Sequence, residues 1–403
     1  MAGPDIINST EALVAAIDAN RLVERTSRYV RKPSVNPFDE PPSTERSEQD
    51  FAEMFADELR AAGVEVELRE VEPGRPNVIG RIAGSDPSAP TLMLAGHLDT
   101  VGIERCIEPF SGRVEDGRLY GRGSCDMKAA LAAFVEVALI VHESQLTLGG
   151  DLLIVGTADE ENLMVGSARF ASYEYEPDFC IVGEPTSLSI CPIHKGQIGM
   201  TITTHGRAVH SSVPHEGVNA IEKMGLVLSA FADYQTELDA RDPHPLAGYA
   251  TFSPGVIGGG SMVAIVPDGC ELTVDRRMIP GETVDQVLTE YRARLDAIAA
   301  TDPEFRYEIS DPSMFNEPLD TPTDHLIVAT CERAVTAATG SDSVVEAFPA
   351  GTDAPNFGCP AVILGPGSLA QAHTVDEYVA IDEITKAAEV YLRATLELLG
   401  RAG

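Results

Sequence analysis

Apolar residues fall into two rhythms that alternate through the first half of this chain. Continuous apolar runs at 91–95, 152–156, 179–183 and, far downstream, 361–365 are short, bounded by turn residues, and read as strands buried on both faces. Elsewhere the apolar positions fall three and four apart. Phe51, Met54, Phe55 and Leu59 line a helix over 44–62 that Gly63 stops, a second helix covers 127–141, and a long amphipathic one covers Ile381–Leu399. Helices alternating with buried strands predict an α/β fold: a mainly parallel sheet flanked by helices.

The texture changes between 193 and 309. Alternating strands at 199–204 and 270–278 interleave with helices from Val218 and over 283–299, an order that predicts a smaller α+β domain inserted into the first. The stretch 311–322, rich in Pro, Asp, Asn and Ser, reads as the return crossing. The predicted division is 1–193 with 310–403 for the main domain and 194–309 for the insertion, which suits a chain of 403 residues.

Charge narrows the partners. Acidic residues outnumber basic ones by 63 to 29 and the net charge is -34, which argues against nucleic acid or an anionic membrane and leaves small soluble substrates. Seven cysteines lie scattered without a C-x-x-C pair, so the sequence suggests neither a disulfide framework nor a cysteine zinc site, and a reducing cytoplasm fits. The opening Met-Ala-Gly-Pro-Asp shows no basic patch before an apolar run, and no stretch of about 18 apolar residues occurs. No targeting signal or membrane span is read.

Ligands of open α/β sheets bind beyond the carboxyl ends of the strands, and metal-binding residue types gather there. The run at 92–95 leads into His97 and Asp99, that at 152–155 into Asp159-Glu160-Glu161, that at 179–182 into Glu184, and that at 361–364 through Gly365-Pro366-Gly367 to His373. Asp126 joins from the glycine-flanked loop before a helix. Singly, each has a plainer explanation: Asp126 as a helix N-cap, Asp99 as a strand-end cap, the acidic tract as a solvated loop. Their coincidence at several strand ends favours a metal site. Two imidazoles and three carboxylates exceed what one tetrahedral zinc accepts, so two ions sharing a bridging carboxylate fit better. The donors favour zinc, with cobalt or manganese able to substitute.

The motifs Gly96-His97-Leu98-Asp99-Thr100-Val101, Gly121-Arg122-Gly123-Ser124-Cys125-Asp126-Met127-Lys128, Asp159-Glu160-Glu161, Val182-Gly183-Glu184-Pro185 and Gly365-Pro366-Gly367 running to His373 resemble, in that order, the metallopeptidase superfamily of acetylornithine deacetylase, succinyl-diaminopimelate desuccinylase, aminoacylase and related carboxypeptidases. The resemblance covers nearly the whole chain. It implies that His97 and Glu184 hold one metal, Glu161 and His373 the other, and Asp126 bridges them. Asp99 would accept the other ring N–H of His97, and Glu160 would be the free base, taking a proton from water and passing it to the departing amine. It further implies that the insertion is a lid and dimerisation domain whose His210 reaches the partner subunit's site in a homodimer. Without the resemblance, His210 reads as structural.

An N-acyl amino acid substrate carries a carboxylate that calls for an arginine or backbone N–H groups. Arg277 aligns with the family's lid arginine, and its neighbour Arg276 would point to the opposite face of a strand. Asn219, Gly351 and Thr352 are further substrate-binding candidates, with turn geometry as the plainer explanation of each. Two departures from the family pattern, Gly102 where a proline is usual and Ala264 where an asparagine often stands, affect loop shape. Gly183-Glu184-Pro185-Thr186-Ser187, His194-Lys195-Gly196 and Gln371-Ala372-His373 most resemble the acetylornithine deacetylase branch. Desuccinylase, broad aminoacylase and dipeptidase or carboxypeptidase are the alternatives with the same chemistry. A non-catalytic metal-stabilised binding protein is the alternative of another class, and an intact Glu160 argues against it. No Gly-x-Ser-x-Gly elbow supports a serine hydrolase.

Overall fold

A computed structural model of the chain describes residues 9–38 and 47–400; the start of the helix expected over 44–62 and the opening segment inspected for a targeting signal lie outside the described residues. The chain divides into two units, Met1–Ile193 with Asp320–Phe348 and Thr352–Gly403, and His194–Leu319 with Pro349–Gly351.

The first unit is built on a nine-stranded sheet. Its strands are β1 (Glu65–Glu72), β2 (Arg75–Ile82), β3 (Leu92–His97), β4 (Leu152–Thr157), β5 (Phe179–Val182), β6 (Ile190–His194), β7 (Leu319–Asp320), β8 (Val345–Phe348) and β9 (Ala361–Ile363). They lie in the order β1-β2-β4-β3-β5-β9-β6-β7, with β8 pairing β6. The centre, β4-β3-β5-β9, is parallel, and the strands flanking it, β2 and β6, pair antiparallel. The continuous apolar runs are these central strands: every residue of β3, β4 and β9 is buried, as expected of strands covered on both faces. The hairpin β1–β2 escaped the apolar pattern because β1, Glu-Val-Glu-Leu-Arg-Glu-Val-Glu, is a largely exposed edge strand dominated by charge.

Helix Ala129–Glu143 is buried along nearly its whole length, packing among Ala19–Arg31, Gln49–Ala61 and Ile381–Leu399. It begins two residues later than the pattern placed it, because Ser124–Lys128 forms a distorted turn with Asp126 in non-helical backbone. Glu136, inside this helix, is fully buried and lies between Arg21 at 2.7 Å and Arg25 at 3.0 Å. No described helix is long and apolar enough to cross a membrane.

The second unit has a five-stranded sheet ordered Thr251–Gly259, Gly269–Met278, Gly196–His205, Arg306–Ile309, with Met314–Asn316 also on Gly196–His205. That last pairing keeps 310–319 with this unit. Burial alternates strictly along Gly196–His205, so one face meets the helices Ala220–Ala230 and Val284–Thr301 through Ile198, Met200 and Ile202. Thr283 and Gln286 form a reciprocal cap at the start of the second helix. Strand Thr251–Gly259, unread in the sequence, contains Pro254 and several glycines, which an edge position tolerates.

Replacing Glu136 with Ala would leave Arg21 and Arg25 without their shared buried anion. We expect a loss of about 3 kcal/mol in urea unfolding, against at most about 1 kcal/mol for Asp151→Ala, which breaks a partly exposed pair with Arg81.

Candidate metal centre

Two glycines clear the space in which the site forms. A Cβ on Gly96 would lie 2.3 Å from Met127 Cε, and one on Gly183 would lie 2.6 Å from the Ala130 Cβ. The ends of β3 and β5 therefore approach the turn carrying Asp126 as only glycine permits. His97 and Glu184, the residues after those glycines, are thereby brought against Asp126.

Asp126 gives one oxygen to each histidine: Oδ1 lies 2.8 Å from His97 Nε2, and Oδ2 lies 3.3 Å from His373 Nε2. His373 Nε2 is also 3.1 Å from Glu161 Oε2, and Glu184 Oε1 stands 3.7 Å from His97 Nε2. Ligand atoms of His97, Asp126 and Glu161 all lie within 4.8 Å of one another, a group fit to hold an ion. Asp126 does not cap the following helix, whose N-cap position is Lys128. His373 has φ +62, a left-handed backbone uncommon outside glycine and typical of residues held in place for a task.

Asp99 serves the site differently from the sequence expectation. His97 Nδ1 lies 3.0 Å from the main-chain oxygen of Asp99 and 3.6 Å from its carboxylate, so the carbonyl is the acceptor that fixes the ring. The carboxylate instead accepts the N–H groups of Glu160 and Glu161, each at 3.1 Å, and the amide of Asn36 at 2.7 Å. Asn36 also donates to Asp159 at 2.9 Å, and Asp159 is held by Arg75. The acidic tract 159–161 is thus pinned from both sides. Sequence reasoning missed Asn36 and Arg75, since neither lies at a strand end or in a spaced motif. In the loop of Asp353 it read backbone donors and passed over the side chain. The buried Asp353 side chain accepts from Thr157 at 2.6 Å and from Ser167.

Electrostatics follow from crowding carboxylates into a buried volume. Burial disfavours a charged His97, yet Glu184, Asp126 and Asp99 more than reverse this and push its pKa well above the usual histidine range. Hydrogen bonds to Asp126 and Glu161 raise His373 to about 10. Glu160 is pushed well above the carboxylate range, first by burial and then by Glu184, Asp353 and Glu161, against the pull of His97. Its carboxylate makes no hydrogen bond or ion pair with any described residue. Glu160 is partly buried, whereas Glu184 Oε1 is buried without a hydrogen-bond partner. A buried carboxylate oxygen left so is costly unless a cation meets it, so the donor set fits metal.

The family description for peptidases M20/M25/M40 matches residues 93–397. The chain belongs to this peptidase family. It is 34% identical over 377 residues to an acetylornithine deacetylase of Vibrio campbellii, covering 88% of this chain and 93% of that one. It is 31% identical over 401 residues to an acetylornithine deacetylase of Proteus mirabilis, covering 94% and 95%. In structure it is similar to a tripeptidase of Staphylococcus aureus, with TM-score 0.75, 22% identity and 95% and 99% of the two chains covered. It is also similar to a Bacillus subtilis protein described as a dinuclear metal-binding peptidase, with TM-score 0.71, 16% identity and 95% and 99% covered. The chain is accordingly a hydrolase of amide bonds.

The remaining sequence candidates, except Thr352, lie in the second unit. His210 is exposed, and its Nδ1 accepts from the Ser212 N–H at 3.1 Å, which leaves the proton on Nε2. Asn219 is the N-cap of Ala220–Ala230, its side-chain oxygen accepting from Ile221 and Glu222. Arg276 is fully buried against Glu282, whereas Arg277, on the other face, is partly exposed beside Asp275. Gly351 sits against Asn316. Thr352, in the first unit, is buried and accepts from the N–H of Ala354 at 3.2 Å.

Histidines must lose a proton to ligate metal. Because the carboxylates raise both imidazole pKa values, chelator-stripped protein titrated with zinc at pH 7 should show net proton release in calorimetry across buffers of different ionisation enthalpy. Apparent affinity should rise with pH toward about 10, where His373 deprotonates; a flat profile would refute the assignment.

Proposed function

We propose that this chain is a two-metal amidohydrolase that removes the acyl group from a small N-acyl amino acid, N-acetylornithine being the first candidate, with Glu160 as general base. The observation that carries the reading is Asp126, one oxygen toward each of two imidazoles, beside Glu160 and beside Glu184, whose Oε1 is buried without a hydrogen bond. In this reading His97 and Glu184 would hold one ion and His373 and Glu161 the other, with Asp126 shared between them. Zinc is the first choice, with cobalt or manganese able to substitute. Bound ions supply Lewis-acid polarisation of the scissile carbonyl and acidify the attacking water.

The chain's own residues do the rest. Glu160 takes a proton from the attacking water, whose oxygen bonds to the carbonyl carbon, and delivers it to the amine nitrogen as the C–N bond breaks, giving a carboxylic acid and an amine; the acid's remaining water proton then passes to the amine, leaving a carboxylate and an ammonium. Asp99 keeps Glu160 aimed through its main-chain N–H. His210, with its proton on Nε2, suits donation to an oxyanion, and Arg277 suits a substrate carboxylate.

A homodimer is part of the reading. Thr251–Gly259 is an unpaired sheet edge on which Val256 and Ile257 are 67% and 55% exposed, and Leu226 and Leu228 on the neighbouring helix are exposed as well. A second copy pairing there would cover both features. A cytoplasmic setting is supported by seven cysteines that are all free thiols.

Amine release from N-acetylornithine, other N-acetyl amino acids, N-succinyl-diaminopimelate and dipeptides, with zinc- or cobalt-loaded protein and a chelated control, tests the substrate. We expect metal-dependent release from N-acetylornithine above the rest, and preference for dipeptides would overturn the deacylase reading. Glu160→Gln should lower kcat by about 10²- to 10⁴-fold with metal content unchanged; retained turnover would refute its role as base. Val256→Asp should convert a dimer to a monomer in sedimentation, and a monomeric parent would sink the dimer.

A further inference from the structure

Beside the candidate ligands lies an ion pair that bonds to none of their side chains, yet reaches most of the loops that carry them. Arg122 and Glu377 are both nearly fully buried, with 4% and 2% of their side chains exposed, and bond to each other through Arg122 Nη1. The other guanidinium nitrogens leave in separate directions. Nε donates to Gly102 O at 3.0 Å, on the loop that leaves His97 and Asp99. Nη2 donates at 3.2 Å to the main-chain oxygen of Thr374, the residue after His373. On the other side, Glu377 Oε1 accepts the N–H groups of Cys125 at 2.9 Å and Asp126 at 3.1 Å.

We propose that Arg122 and Glu377 form a positioning clamp that holds the His97, Asp126 and His373 loops in ligating register, so that the pair sets metal affinity without touching metal or substrate. The proposal rests on the metal-dependent reading above. Its physical basis is the planar fork of arginine, whose donors serve several acceptors at fixed angles, where lysine offers a point charge. Glu377 matters as much. Its oxygen fixes the main chain of Asp126, the residue that must hold one oxygen to each histidine. An acid so near Asp126 is an electrostatic cost, and Arg122 makes it tolerable. Each residue therefore depends on the other, and the ligand loops depend on both.

The test is zinc affinity by competition with a chromophoric chelator, alongside steady-state kinetics and Tm. Arg122→Met and Glu377→Gln should each weaken zinc binding about 10- to 100-fold, and the double variant should be no worse than the poorer single one. Arg122→Lys should recover part of the loss. In zinc-buffered assays kcat should fall while KM stays within about twofold. Glu377→Gln is isosteric and keeps an oxygen for the Cys125 and Asp126 amides, so it separates loss of the pair from loss of fold. Leu392→Ala, a cavity in the packed core, gives the comparison for lost stability alone and should lower Tm with zinc affinity unchanged. Wild-type affinity in folded Arg122→Met and Glu377→Gln would overturn the clamp and leave the hydrolase reading intact. Zinc binding weakened as expected, in a protein whose parent deacylates no substrate, would support the clamp and overturn the substrate reading.

Discussion

Everything in the candidate centre depends on holding carboxylates close together out of water. Asp126, Glu160, Glu161, Glu184 and Asp353 are all deeply placed around the ends of the central strands, where each raises the cost of ionising the next. Such a cluster is unfavourable on its own terms. It is tolerated because two imidazoles stand among the acids, and because the cluster is the kind of site a divalent cation completes. The repulsion therefore favours positive charge at the site.

Keeping repelling groups in register requires a frame that cannot relax. Part of it is covalent economy: glycines before His97 and Glu184 let two strand ends press against the turn of Asp126. The remainder is a layer of hydrogen bonds behind the candidate ligands. Asp99, Asn36, Asp159 and Arg75 tie down the acidic loop, and Arg122 with Glu377 tie the loops around Asp126 and His373. Each of these partners is buried, so its bonds face little competition from water. The chemistry of a small centre thus recruits residues from well beyond the ligand motifs.

The family embraces different amide substrates, and its relatives here bear names as unlike as acetylornithine deacetylase and tripeptidase. A shared metal-binding frame with varied loops explains that breadth, since the frame acts on the carbonyl and the loops decide what flanks it. Three of the candidates for that second task, His210, Asn219 and Arg277, belong to the second unit. Of these, Asn219 is already occupied as a helix cap, which leaves His210 and Arg277 as the more available polar groups.

By itself the sequence determined the elements whose hydrophobic period is unambiguous and the candidate ligands that follow them. Buried strands need unbroken apolar runs, and a strand end is the one place in such a run where His97 or Glu184 can emerge. The positions of those residues, their chemical types and the family motif were all legible for that reason. Tertiary structure alone decided what no period encodes. The charged strand Glu65–Glu72 and the glycine-rich strand Thr251–Gly259 exist because a neighbouring strand pairs with them. Asp99 gives its carbonyl rather than its carboxylate to His97 because its carboxylate oxygens are taken by Asn36 and the 160–161 main chain. Arg122 and Glu377 lie 255 residues apart, and only folding could show that they meet, because long-range contact depends on how the whole sheet closes and leaves no trace in local spacing.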